Sequence, residues 1–400
     1  MKSFYTNLTV RKVIELIILL VLAITIQGII ASIGNVYTHY NNLIAFKSSF
    51  GHLIQNKNLY LYYPNEYFDQ YKYSPTFSLF MGLFYYLPDE VSLFLFNIIN
   101  TSFFIYALLK LKLPNDVLKF LFLFLLLEFG ISITWVQTNV LIASLIILAF
   151  SSLEERKPLL ASLFIVLTVY IKLFGIAALV LGLFYPDKFR FVLYAVMWGL
   201  LFAILPVIVI SKNELIQQYR NWFNLLKMDH AASYGVSFIG LIHSWFNINI
   251  SKIGTVAVAA IIFCIPLLKV NSYRLYSYRL QILASLLLWI VIFNHKGESP
   301  TYIIAMEGVA IWYFSQPANT INKILLWLSL IFTSFSSTDL ITPGWINDRF
   351  VEPYFIKAIF CSIIWFKLIY DVMTKKQFSS NAKEEAENKE PVSAADLKFS

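Results

Sequence analysis

Residues 13–34 read VIELIILLVLAITIQGIIASIG, with Glu15 as their only charged side chain, and comparable apolar runs recur down to residue 370. A bilayer crossing takes about 20 mostly apolar residues. In lipid every backbone amide must find its partner inside its own segment, so runs of this kind fold as helices. Composition agrees: 58% of the 400 residues are hydrophobic and 14% charged, and the mean hydropathy of +0.68 lies outside the range of soluble domains. The expected fold is all-α, a polytopic membrane bundle forming one integral domain over residues 1–372. The polar, aperiodic segment 373–400 reads as a disordered cytoplasmic tail. Cys264 and Cys361 each sit inside an apolar run, with neither disulfide nor metal-ligand spacing, and read as packing residues. No small-residue cleavage site follows the first run, so it reads as an uncleaved span.

The formal net charge is +8, but the basic residues are scattered through short loops and form no stripe, which argues against nucleic acid and makes charge a guide to topology. With Lys2, Arg11 and Lys12 in the cytoplasm, the first span runs outward and residues 35–73 become an outer loop. Residues 74–88 are short for a span and end in Pro88, so they read as an interfacial or re-entrant segment. Spans then follow over 91–109, 116–134 and 139–153. Residues 159–185 have Lys172 near their middle, which suits two short helices meeting at the outer face better than one long helix. After 191–210 comes a second large outer loop, 211–251, containing an amphipathic stretch, ELIQQYRNWFNLLKM. The remaining runs are 253–268, 280–293, 302–314, 324–334 and 354–370. Roughly a dozen crossings result from the length and charge rules together. Among the strongly basic short loops, only HKGE falls on the outer side.

The outer face therefore gathers the tyrosine-rich loop NLYLYYPNEYFDQYKY, the segment WVQTN, Lys172, the second loop with YGVSFIGLIHSW, and NHKGESP. Such a face suits an enzyme acting on a lipid-borne substrate, which needs an acid or base, a cation for phosphate and aromatic surfaces for sugar or isoprenoid. The order and spacing of YKYSPTFSLFMGLFYYLPDEVSLFLFNIIN, WVQTNVLIASLIILAF, ERKPLLASLFIVLTVYIKLFGIAALVLGLFYPDKFR and YGVSFIGLIHSW resemble glycosyltransferase family 87, membrane mannosyltransferase-like proteins of the GT-C fold. The likeness covers roughly residues 10–370.

The resemblance implies a transferase that moves a hexose, often mannose, from a polyprenyl monophosphate donor to a lipid-linked or polysaccharide acceptor, with inversion. It implies no metal or other cofactor, and a site facing the periplasm from a bacterial inner membrane. Membrane lipids are the other expected partner, and nucleic acid is not one. The family's base is usually an aspartate shortly after the first span. Here that stretch reads NVYTHYNNLIAFK, with His39, Asn41 and Asn42 and no carboxylate. The candidate bases are Asp69, Glu66 and His39. Asp69 is favoured, because a helix starting at Pro64 would bring Glu66, Asp69 and Lys72 near one face. A solvated charge cluster explains the same three residues.

Lys172 is expected to meet a donor phosphate, since an unpaired mid-membrane lysine costs about 2.5–3.5 kcal/mol on insertion scales; snorkelling to the interface is the alternative. His295 and Lys296 form a polar turn able to contact phosphate, or a simple connection. Gln137 and Asn139 can bind sugar hydroxyls, although helix capping is the commoner use of such residues. Tyr73 can stack on a sugar and Lys72 can reach a phosphate beside it, although tyrosine also marks the membrane interface. His243 lies in the second loop, where the amphipathic helix accounts for most residues without catalysis. Glu307, inside a span, is a functional candidate that a hydrogen bond within the bundle would satisfy. A lipid or sugar transporter and a non-catalytic assembly protein of envelope polysaccharide synthesis are the rival classes. No internal repeat relates the two halves, which counts against a transporter.

Overall fold

A computed structural model of the chain describes residues 8–232, 234–336, 338 and 342–375, so the expected tail beyond residue 375 lies outside the described residues. Helices and turns make up the described residues, with no strand among them. Four helices have both the length and the hydropathy to span: Val10–Ser32, Asp89–Lys110, Asn115–Thr134 and Lys188–Ile208. Six more are apolar but shorter, among them Asn139–Glu154, Pro158–Ile171 and Tyr276–Ile292. The fold is thus a helical membrane bundle whose full-length spans are fewer than a dozen among the described residues.

The described residues divide into two compact units, one drawn from Ile14–Leu111 and Phe129–Ser233, the other from Met1–Val13, Lys112–Glu128 and Tyr234–Ser400. In the first unit the segment expected as an outer loop contains a helix, Asn41–Ile54. Its buried side Leu43, Phe46, Phe50 and Leu53 recurs every three or four residues, the period of a helix packed on one face. Lys47 on the same helix is buried, bonds the Leu87 carbonyl at 2.7 Å and forms an ion pair with Asp89, the first residue of the next long helix. That contact ties the helix to the start of a span. Residues 74–88 form two short helices, Pro75–Phe80 and Gly82–Tyr85, neither long enough to cross. The helix Lys212–Ala232 occupies the expected amphipathic stretch and is fastened to residues 35–73. Gln218 is fully buried, accepts from the Leu59 amide at 3.2 Å and donates to the Lys57 carbonyl at 2.7 Å; Trp222 donates to the Lys72 carbonyl at 3.0 Å.

The second unit is built on Tyr276–Ile292 and Tyr302–Phe314, which are buried on nearly all sides, as expected for core helices. Cys361 is buried on Lys357–Thr374. Cys264 is exposed instead of packed, because its helix, Lys252–Leu267, turns much of its apolar surface away from the protein. Glu307 lies in the core with both carboxyl oxygens lacking a hydrogen-bond partner among the described residues, so the expected bond within the bundle is not made.

Glu128 and Lys357 form a buried ion pair at 2.9 Å, with side chains 0% and 3% exposed. Lys357 also donates to Ser299 Oγ at 2.9 Å, which steadies the turn before Tyr302. Removing one partner of such a pair strands the other in an apolar interior. Glu128→Ala is therefore expected to cost about 3–5 kcal/mol of stability, read as a lowered unfolding midpoint in detergent, with Glu128→Gln milder.

Candidate active site

The helix Pro158–Ile171 stops at Lys172, whose backbone is extended (φ −141°, ψ 126°), and a 3-10 helix, Leu173–Phe184, continues from it. The expected pair of short helices meeting at this lysine is present. Their junction is tight: a Cβ on Gly175 would lie 2.0 Å from Thr168 Oγ1, so only glycine lets the second segment fold back against the first. Released from helical geometry, the half-buried Lys172 side chain reaches Asn139 Oδ1 at 2.9 Å and Gln137 Oε1 at 3.4 Å. Its ammonium also lies 5.8 Å from the centroid of the Tyr73 ring, within cation–π range. The amide oxygens fix its direction without cancelling its charge.

Gln137 and Asn139 are presented by an uncommon helix end. Asn115–Thr134 closes with two hydrogen bonds, Gln137 N to Ser132 O at 3.2 Å and Val136 N to Ile133 O at 3.0 Å, the pattern that normally takes glycine at the left-handed position. That position is Val136, at φ +50°. A β-branched residue there is an outlier that stores on the order of 1–3 kcal/mol, and such strain tends to collect at functional sites. Asn139 opens the next helix but does not cap it: the cap position is Thr138, which makes no side-chain cap bond. The Asn139 oxygen is occupied by Lys172, and its Nδ2 is buried without a partner among the described residues. The capping reading is thereby corrected. Tyr73 is held by Phe77, stacked at 4.7 Å, and by Phe46, edge-on at 4.9 Å, while its hydroxyl lies 3.4 Å from Thr138 Oγ1. Four expected site residues, Tyr73, Gln137, Asn139 and Lys172, thus form one cluster.

The carboxylates of residues 35–73, the segment expected as an outer loop, differ from expectation. No helix runs from Glu66 to Lys72; Glu66 lies in a turn and Asp69 at a bend, so they share no helical face. Tyr67 and Tyr71 are both buried, although the chain that carries them is irregular. Burial pushes the phenols of Tyr60, Tyr67 and Tyr71 up, which keeps them protonated and unsuited to act as bases. Glu66 is engaged by His52, Oε1 to Nε2 at 3.1 Å, and the buried His52 ring lies against Tyr63 with centroids 3.8 Å apart. His52 escaped the sequence reading, although the helical spacing of Leu43, Phe46, Phe50 and Leu53 marks the element that carries it.

Asp69 is exposed, and its only hydrogen bond among the described residues is Oδ1 accepting from the Gln70 amide at 2.7 Å. Its neighbour Phe68 donates its amide to Asn41 Oδ1 at 2.9 Å. The next residue, Asn42, donates to the Trp135 carbonyl at 2.7 Å, two positions before Gln137. Asp69 is thereby drawn to the stretch where the resemblance expects an early-loop aspartate, and that stretch is tied to the strand of chain presenting Gln137. Lys72 is half-buried, with its carbonyl fixed by Trp222. His39 is exposed; its amide donates to Ser32 Oγ at 2.8 Å, and the residue borders a cavity of about 40 Å³ shared with Gln27, Asn97 and Val136.

His295, Lys296 and His243 belong to the other unit. His295 and Lys296 are half-buried in a turn that packs on the segment around Gly235. Val236 donates its amide to the Gly297 carbonyl at 2.7 Å, and the Tyr302 hydroxyl donates to the Val236 carbonyl at 3.2 Å. Gly235 has φ +57°, and a Cβ there would lie 2.6 Å from the His295 carbonyl oxygen and 2.9 Å from the Gly297 nitrogen. Backbone cannot swing aside as a side chain can. Gly235→Ala is expected to detach this turn and destabilise the unit by about 1–3 kcal/mol, visible as faster proteolysis or amide exchange over 294–299. His243 stacks on Tyr234 at 4.4 Å, and the Lys252 ammonium lies 5.0 Å from the centroid of the same tyrosine ring. Its place in this stack accounts for His243 structurally.

A search of curated proteins returned no match. The model of glycosyltransferase family 87 matches residues 71–314, a stretch that holds Tyr73, Gln137, Asn139, Lys172, His243 and His295. Covering more than half of the chain, that match identifies the protein as a member of glycosyltransferase family 87.

Proposed function

We propose that this glycosyltransferase takes a hexose, mannose first among the candidates, from a polyprenyl monophosphate and passes it to a lipid-linked or polysaccharide acceptor at the outer face of a bacterial inner membrane. The observation that carries the reading is Lys172, broken out of its helix and aimed by two neutral amide oxygens beside a fixed tyrosine ring. A cation so held is suited to a phosphate, and the neighbouring ring to the face of a sugar. Asn139 and Gln137 would orient the lysine and bond sugar hydroxyls.

In a direct displacement the acceptor oxygen bonds to the anomeric carbon as the bond from that carbon to the phosphate oxygen breaks, and inversion follows. The acceptor proton passes to a base and the polyprenyl phosphate leaves carrying the negative charge. Asp69 is proposed as that base. It is exposed, it keeps an oxygen available, and it lies by the Asn41–Asn42 stretch, whereas Glu66 is taken by His52. For His295 and Lys296 the proposal is confined to a phosphate contact made from their own unit.

The test offers purified protein in vesicles polyprenyl-phosphate mannose and polyprenyl-phosphate glucose with a lipid extract as acceptor, product lipids being followed by mass spectrometry. Consumption of either donor with a new hexosylated lipid supports the reading. If neither is consumed, the assembly-protein reading replaces it.

A further inference from the structure

The helices Pro158–Ile171 and Lys188–Ile204 pack together, and between them runs an open groove of about 450 Å³. Its walls are apolar and aromatic, from Leu160, Leu163, Tyr194 and Trp198. Two cations complete the lining: Lys157, just before the first helix, and Arg190, in the first turn of the second. Trp198 donates its indole N–H to the Leu159 carbonyl at 3.2 Å, which fixes the aromatic wall against the neighbouring helix.

Three observations identify what such a groove takes. Lys188–Ile204 turns a bare apolar surface outward, with Val192, Val196 and Leu200 each more than half exposed, so the surrounding medium along it is hydrocarbon. The lining contains two cations and no carboxylate. The nearest acid to Lys157, Glu155, is shared: it lies 2.6 Å from Lys157 and 3.1 Å from Lys110, and one carboxylate cannot neutralise both. Asp187 stands 3.9 Å from Arg190, a loose exposed pair worth little in water. The fitting ligand is long, apolar and anionic at one end.

We propose that the groove is a binding site for an anionic glycerophospholipid, its phosphate against Lys157 and Arg190 and an acyl chain along Tyr194 and Trp198. The site is separate from the Lys172 cluster and does not depend on the transferase reading. The guanidinium and ammonium set the preference for the anionic head, and the aromatic wall holds the chain at the depth of the interface.

The test uses full-length protein in phosphatidylcholine vesicles doped with dibrominated phosphatidylglycerol or dibrominated phosphatidylcholine. Quenching of Trp198 is taken as the difference between the protein and its Trp198→Phe variant. The expected result is half-maximal Trp198 quenching at an about fivefold lower mole fraction of the brominated phosphatidylglycerol. In Lys157→Gln/Arg190→Gln the two lipids should become equal. Equal quenching by both lipids in the unaltered protein would overturn the proposal, as would a preference that survives the double substitution. The double variant removes only exposed side chains, so circular dichroism should show it folded; sugar transfer should persist in it whether or not the lipid preference does.

Discussion

Asp69→Asn is expected to lower sugar transfer by about two to four orders of magnitude while leaving the protein folded and able to bind donor. The substitution keeps the size of the side chain and an oxygen able to accept from the Gln70 amide, so the bend that carries residue 69 has no reason to change. What disappears is the capacity to take a proton from the acceptor hydroxyl. Donor binding, governed by phosphate and sugar contacts elsewhere, should change little, so the loss should fall on kcat. Glu66→Gln is the informative companion. It weakens the contact with His52 and should reduce stability slightly, with transfer largely kept. Should the Glu66 variant lose transfer and the Asp69 variant retain it, the base lies with the Glu66–His52 pair.

Lys172→Met should cost about two to three orders of magnitude in transfer, the scale seen when one preorganised donor to a developing negative charge is removed. Methionine fits the volume of the lysine stem and removes only the ammonium. The charge on the leaving phosphate grows as its bond to the anomeric carbon breaks, so a lysine that acts on the transition state should show in kcat more than in KM for the donor. A rise in donor KM with kcat unchanged would assign Lys172 to ground-state binding. A variant with unaltered kinetics would remove the lysine from the site. Asn139→Leu should give a smaller effect in the same direction, since Lys172 loses its 2.9 Å partner yet keeps Gln137 and the Tyr73 ring.

The break at Lys172 was legible in the sequence because a lysine in the middle of an apolar run conflicts with a continuous span, and the chain resolves the conflict at that residue. Gln137 and Asn139 were visible as polar residues beside a span, but their use was not. Capping is a local rule, and the partner that claimed Asn139 comes from 33 residues away in sequence. The segment expected as the first outer loop shows the opposite failure. Its helix, Asn41–Ile54, is written in the spacing of its apolar residues but is too short and too polar to register as a span. A search tuned to hydropathy passes over it, and His52 with it. The helix expected over Glu66 to Lys72 rested on charge spacing and on Pro64 at its start, local preferences worth only tenths of a kcal/mol, and the chain there is irregular instead. The strain at Val136 could not be read at all, since valine gives no warning of a left-handed backbone.

The account rests on the active groups facing one compartment, and single-cysteine labelling tests this most directly. In sealed, oriented vesicles, on a background with Cys264 and Cys361 replaced, a membrane-impermeant maleimide should modify Asp69→Cys from the outer side and Arg156→Cys, in the basic loop that follows the expected span 139–153, only after the membrane is opened. Modification of position 69 only after the membrane is opened, or of position 156 without opening it, would contradict the account.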